Sequence, residues 1–233
     1  TGTSDESFLD DAAALAEGLI ALYESTGDAR WLMEALALQR TLDTRFRDAG
    51  AGGYFLTPEG ARPSLAREKP GDDGAVPSGN SIAAMNLLRL GALTGDDALR
   101  KRALEVLSAF ASVLPRMPAM LAALDSSLDD SLELVVVRPR ADAGDALVEV
   151  ARKVYLPAAV LAIATEGADL AAQAKVVPIV QDKRALRGLA TAFVCSRGVC
   201  DLPTSDPAAL ERRLSRARPL FRGQEGPAPL PVR

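Results

Sequence analysis

The sequence predicts a mostly α-helical chain: part of an (α/α) barrel of helical hairpins, followed by a small βαβ-like α/β segment. Three observations predict it. An apolar helix, a Thr-Gly-Asp turn and a two-faced helix occur in that order twice, with the turns at Thr26-Gly27-Asp28 and Thr94-Gly95-Asp96. Alternation of greasy and half-polar helices is what a double ring requires, the inner ring lining a hollow. After Asp130 the pattern changes to short β-type runs separated by one helical stretch.

The elements follow from local signals. Ser7-Phe8-Leu9-Asp10 has the capping-box spacing and predicts a helix to about Ser25, apolar nearly all round and hence buried on several sides. Gly27 supplies its left-handed end and Asp28 caps the next helix, about Ala29 to Arg47. A connection from Asp48 to Asn80 holds a short strand at Gly53-Tyr54-Phe55-Leu56-Thr57. The third helix runs from about Ser81 to Leu93. A fourth carries Leu99, Ala103, Val106, Leu107, Phe110 and Leu114 on one stripe, and a fifth spans Ala119 to Leu128.

Leu132 to Val137 then reads as a strand, Gly144 to Tyr155 as a helix, and Ala158 to Ala164 as a second run paired in parallel with the first. Val176-Val177-Pro178-Ile179-Val180 and Ala192-Phe193-Val194-Cys195 are further strand candidates. Residues 1–130 form the hairpin unit, 131–215 the α/β segment and 216–233 an Arg/Pro-rich tail. Two hairpins and part of a third are fewer than a closed ring needs, so an upstream part of the same protein is the expected partner.

Composition narrows the function classes. Hydrophobic residues make up 48% of the chain and the net charge is −4, which argues for a real core and against a nucleic-acid or membrane partner. A cytoplasmic location is the expectation. There is no histidine, and only two cysteines are present, so catalysis rests on carboxylates, Lys, Tyr, Ser or the thiols, and no metal or other cofactor is expected. No Gly-x-Gly-x-x-Gly loop marks a nucleotide site in the α/β segment.

The most constrained stretch is Asp73-Gly74-Ala75-Val76-Pro77-Ser78-Gly79-Asn80-Ser81, a polar turn that runs directly into the apolar third helix. Such a turn aims backbone N–H groups and polar side chains into the space above it. Together with Phe8-Leu9-Asp10-Asp11, Gly18 to Glu24, Asn86 to Leu90 and Cys195 to Pro207, it resembles the C-terminal region of the thioredoxin-domain-containing, spermatogenesis-associated protein family. The resemblance implies a thioredoxin-like domain elsewhere in the protein and a six-hairpin glycosidase-like barrel, similar to that of N-acylglucosamine 2-epimerases and some glycoside hydrolases. Ala12 and Ala14 stand where the family tends to carry Tyr and Phe, and the histidines of the epimerases are missing. A site made only from this sequence is therefore expected to be weakened or inactive.

Two readings of function follow. In the first, a carbohydrate-active or carbohydrate-binding cleft uses Asp11 and Asp73 as catalytic carboxylates. Asp10, Asp72, Ser78, Asn80, Ser81 and Asn86 then contact the sugar. Paired carboxylates about 6.5–9.5 Å apart suit inverting glycoside hydrolysis. The carboxylates are better explained as helix-start and turn residues, Ser78, Asn80 and Ser81 equally well as cap and turn formers, and Asn86 as a tie between two helices. In the second reading the chain is a non-catalytic structural or interaction module partnering a thioredoxin-like domain in thiol redox function. Cys195 and Cys200, with Arg197 nearby, either form a disulfide, exchange with such a domain, or stay as reduced structural cysteines, the reading preferred here. Arg212, Arg213, Arg216, Arg218 and Arg222 read as a solvated helix end and tail.

Overall fold

The computed structural model describes residues 7–61, 66–128, 132–196 and 199–216. The tail beyond Arg216, with Arg218 and Arg222, and Arg197 lie outside the described residues. Two helical hairpins open the fold: α1 (Leu9–Thr26) with α2 (Ala29–Arg45), and α3 (Gly79–Thr94) with α4 (Asp97–Ala109). Their turns are made alike. Gly27 (φ 75°) and Gly95 (φ 66°) end the first helices in the left-handed conformation, and Asp28 and Asp96 cap the second by accepting from Arg30 N and Ala98 N at 3.0 and 2.9 Å. The repeat read from the sequence is therefore a structural repeat. α1 and α3 pack side by side, and α5 (Pro118–Leu128) packs against α3 and α4.

The two first helices differ in burial. α3 buries most of its surface, whereas α1 buries one stripe, Leu9, Ala13, Ala16, Ile20 and Tyr23. Its other face, with Ala14, Gly18 and Ala21, is exposed, and Leu15 and Leu22 keep 57% and 42% of their surface in solvent. The expectation of a first helix covered on several sides is corrected, because nothing among the described residues packs on that face.

Three further expectations are corrected. The first helix is not opened by a Ser7 capping box: Phe8 is its N-cap, no side chain caps it, and Leu9 N–H donates instead to Leu56 O at 2.9 Å. Tertiary backbone has taken the place of the local cap. Residues 53–57 form no strand but a single antiparallel bridge, Arg47↔Tyr54. Gly52 and Gly53 turn the chain at φ 74° and 72°, and Asp48 Oδ1 accepts from Gly50 and Ala51 N–H within that turn. Residues 178–180 form a 3₁₀ turn rather than a strand, since Pro178 has no N–H to give a ladder.

The α/β segment builds a sheet in the order β2-β1-β3-β4. β1 (Leu132–Arg138) pairs in parallel with β2 (Val160–Thr165) across the helix α6 (Asp145–Lys153), as the crossover predicts. α7 (Ala168–Gln173) follows β2. β3 (Thr191–Ser196) lies antiparallel on the other side of β1, and the short β4 (Val199–Cys200) pairs with β3. Alternation along the strands divides the core. Val135, Val137, Val160 and Ala162 join the helical core, while Leu134, Val136, Ile163, Ala192 and Val194 pack with α6 and α8 (Pro207–Arg216).

The hydrophobic core is thus continuous across residue 130. Hydrogen bonds close the same seam. Tyr23 Oη donates to Gln173 Oε1 at 3.0 Å, and Gln173 Nε2 donates to Gly27 O and Ile163 O at 2.7 and 2.9 Å. Burial pushes the Tyr23 hydroxyl's pKa up, so it remains a proton donor. Among the outer helices, Asp43 of α2 pairs with Arg102 of α4 and accepts from Tyr54 Oη at 2.7 Å.

Candidate functional site

The Asp73–Ser81 bend sits where the N-termini of α1, α3 and α5 converge, and each polar side chain in it, Asp73, Ser78, Asn80 and Ser81, has a protein partner. Asp73 Oδ1 accepts from Ser78 N–H at 2.9 Å and from Ser81 Oγ at 2.7 Å. Its Oδ2 accepts from Ala119 N–H, in the first turn of α5, at 2.8 Å. Burial pushes the Asp73 carboxyl up, but the bonds from Ser78, Ser81 and Ala119 outweigh it and hold the group below its usual range. A carboxylate so held is a poor proton donor at neutral pH.

The other residues are equally engaged. Asp10 Oδ1 reaches from α1 to accept from Gly79 N–H at 2.8 Å, so carboxylates on two elements serve consecutive N–H groups at the start of α3. Ser78 is the N-cap of α3 and accepts from Ser81 N. Asn80 meets the backbone of Tyr54 at both ends, accepting from its N–H at 2.8 Å and donating to its carbonyl at 2.9 Å. Asn86 Nδ2 donates to Ala13 O of α1 at 2.9 Å, the interhelical tie expected of it. Gly79 is required by proximity: a Cβ there would stand 2.4 Å from Asp10 Oδ1 and 2.6 Å from Leu9 Cγ.

The structure therefore brings together Asp10, Asp73, Ser78, Asn80 and Ser81. Asp11 and Asp72 remain on the exposed surface. A cavity of about 730 Å³ lies elsewhere. It opens at the opposite end of α3, between the first turn of α4, the start of β1 and β2, and residues 178–183. None of the eight carboxylate, hydroxyl and amide candidates lines it, but Cys200 does. The cleft expected above the bend is a different place from this cavity.

Sequence reasoning missed the polar residues of this cavity. Glu133 and Lys183 both line it. Burial pushes Glu133 up and Lys183 down, and each is partly restored by the other's charge. Ser126 also lines it, 94% buried by its 6% exposure, and its Oγ has no hydrogen-bond partner among the described residues. Glu133 carried a signal, as the single charge inside the Leu132–Val137 run. Lys183 and Ser126 carried none.

Cys195 and Cys200 stand opposite each other in the β3–β4 ladder and are joined as a disulfide, which corrects the reading of two reduced structural cysteines. On α8, Arg212 lies 3.8 Å from Asp206, and Arg213 donates to Leu202 O. No helix among the described residues is long and apolar enough to cross a membrane.

Comparison with known proteins gives this arrangement a lineage. No family model matches the chain. Spermatogenesis-associated protein 20 of Homo sapiens is 36% identical over 213 residues, and the proteins of the same name from Rattus norvegicus and Mus musculus are each 33% identical over the same length. The match covers 89% of this chain and 27% of each relative. Over nearly all of its length, then, the chain is homologous to a segment of spermatogenesis-associated protein 20, and it spans about a quarter of those relatives.

Proposed function

We propose that this chain is a non-catalytic structural module of a longer helical protein, and that the exposed face of α1 receives another helical segment of that protein. One observation carries the reading: Asp10, Asp73, Asn80 and Asn86 are spent on the N-termini of α3 and α5 and on the backbone of α1 and Tyr54, while Asp11, the other half of the expected carboxylate pair, stands apart on the exposed surface. The bend works as a fastening for three helices. The α1 face supports the second half of the reading. Ala14, Leu15, Gly18, Ala21 and Leu22 recur at helical spacing, and small residues let a second helix approach closely.

The carbohydrate reading draws no support from these residues, and the cavity of about 730 Å³ away from the bend has room for a ligand. A thioredoxin-like domain as neighbour belongs to the module reading, as part of the same longer protein. The experiment substitutes Leu15→Cys and compares its alkylation in the isolated chain with that in the same chain embedded in a longer family protein. Fast labelling alone and protection in the longer protein are expected. Equal labelling in both would remove the docking half of the proposal.

A further inference from the structure

The sheet presents one row of side chains to the cavity. Val160 on β2, Glu133 on β1, Cys195 on β3 and Cys200 on β4 are register partners in turn. Residues opposite one another share a face, and this row continues the face that carries Val135 and Val137 toward the helices. Val160, Glu133 and Cys200 line the cavity itself. Cys195 is buried at 2% exposure, whereas Cys200 is exposed. The disulfide is therefore open to attack from its Cys200 side, which borders a half-open cavity of about 730 Å³.

Lys183 completes the arrangement. It lines the same cavity, and its ammonium lies 5.8 Å from the centroid of the Phe193 ring, two positions before Cys195 and on the same face of β3. No hydrogen bond or ion pair among the described residues engages that ammonium; Glu133 and Asp182 act on it through their charge without a direct bond, which leaves its N–H donors for an anion. Ser126 adds a hydroxyl without a partner among the described residues on the same wall.

We propose that Cys195–Cys200 is an exchangeable disulfide that takes electrons from a small carboxylate-bearing thiol entering this cavity, with Lys183 holding the carboxylate. The thiolate attacks Cys200 Sγ, the bond between the two cysteines breaks, and Cys195 leaves as a thiolate that takes up a proton. A second thiolate attacks the ligand sulfur of the mixed disulfide and expels Cys200, which is protonated in turn. Two small thiols become one small disulfide, and the protein gains two electrons and two protons. The inference does not rest on the module reading, since neither α1 nor the Asp73–Ser81 bend takes part.

The test exposes the folded, oxidised chain to glutathione and, separately, to 2-mercaptoethanol at neutral pH. Iodoacetamide quenches the reaction, and mass measurement counts the alkylated cysteines. Per thiolate, glutathione is expected to react about fivefold faster, the size of a partly exposed charge pair. Lys183→Gln is expected to abolish that advantage while leaving the rate with 2-mercaptoethanol unchanged. In the unsubstituted chain, added salt is expected to shrink the advantage, which keeps the test decisive where the variant does not fold. Equal rates with both thiols, an advantage indifferent to salt or surviving Lys183→Gln, or no reduction while folded would each overturn the proposal. So would two alkylatable cysteines in a chain purified without reductant.

Discussion

Asp73 shows how much one side chain can hold. Its two oxygens accept three hydrogen bonds that tie the start of α3 to the start of α5, and the carboxyl's pKa is lowered from 3.8 in consequence. A lowered folded-state value means that the group stabilises the fold above its unfolded pKa. That contribution is lost as pH falls through the folded value. Stability should therefore decline below about pH 4, and Asp73→Asn should flatten that decline while lowering stability at neutral pH; urea midpoints across the acid range measure both. Gly79 is the complementary case. Its missing Cβ lets α1 and α3 meet at their N-termini, so Gly79→Ala should cost about 2 kcal/mol or more by forcing Asp10 and Leu9 aside. Thermal unfolding reads that loss directly.

At the scale of elements, the Thr-Gly-Asp turns offer an internal control. Gly27 and Gly95 share a left-handed conformation, but a Cβ on Gly27 would lie 2.3 Å from Ile163 O, while nothing stands within 4 Å of one on Gly95. Gly95→Ala should therefore cost about 1 kcal/mol, the conformational penalty alone. Gly27→Ala should cost about 3 kcal/mol, because β2 must also yield. Equal losses in chemical denaturation would mean that the contact between the first hairpin and the sheet is softer than described. These turns were legible because a left-handed glycine followed by a capping aspartate is a local device. The start of α1 was not, because Leu56 O, 47 positions beyond Leu9, took the role expected of Ser7. Residues 178–180 misled by β-branched composition, where the missing N–H of Pro178 decided the matter.

For the whole molecule, the parallel crossover and the mixture of helical hairpins with a small sheet could be read from periodicity. The placement of the cavity could not. It forms where the end of α3 meets residues 178–183, a juxtaposition of segments about 90 positions apart that no local pattern encodes. The bend was recognised as the pivotal stretch, but its chemistry points inward, to helix ends rather than to a ligand. The α1 face was hidden by its own composition, since alanine, leucine and glycine on most of the helix read as burial. If that face awaits another helix, Leu15→Glu with Leu22→Glu should leave the isolated chain's stability within about 0.5 kcal/mol. The pair should also suppress any self-association of the isolated chain in sedimentation velocity.

The most direct test of the central claim, that the Asp73–Ser81 bend fastens three helices, is urea unfolding of Asp73→Ala beside Asp11→Ala at neutral pH. The account predicts a loss of about 2–3 kcal/mol for Asp73→Ala, whose removal strands the N–H groups of Ser78 and Ala119 and the hydroxyl of Ser81, and a change within about 0.5 kcal/mol for the exposed Asp11. Indistinguishable midpoints for the two variants would contradict it.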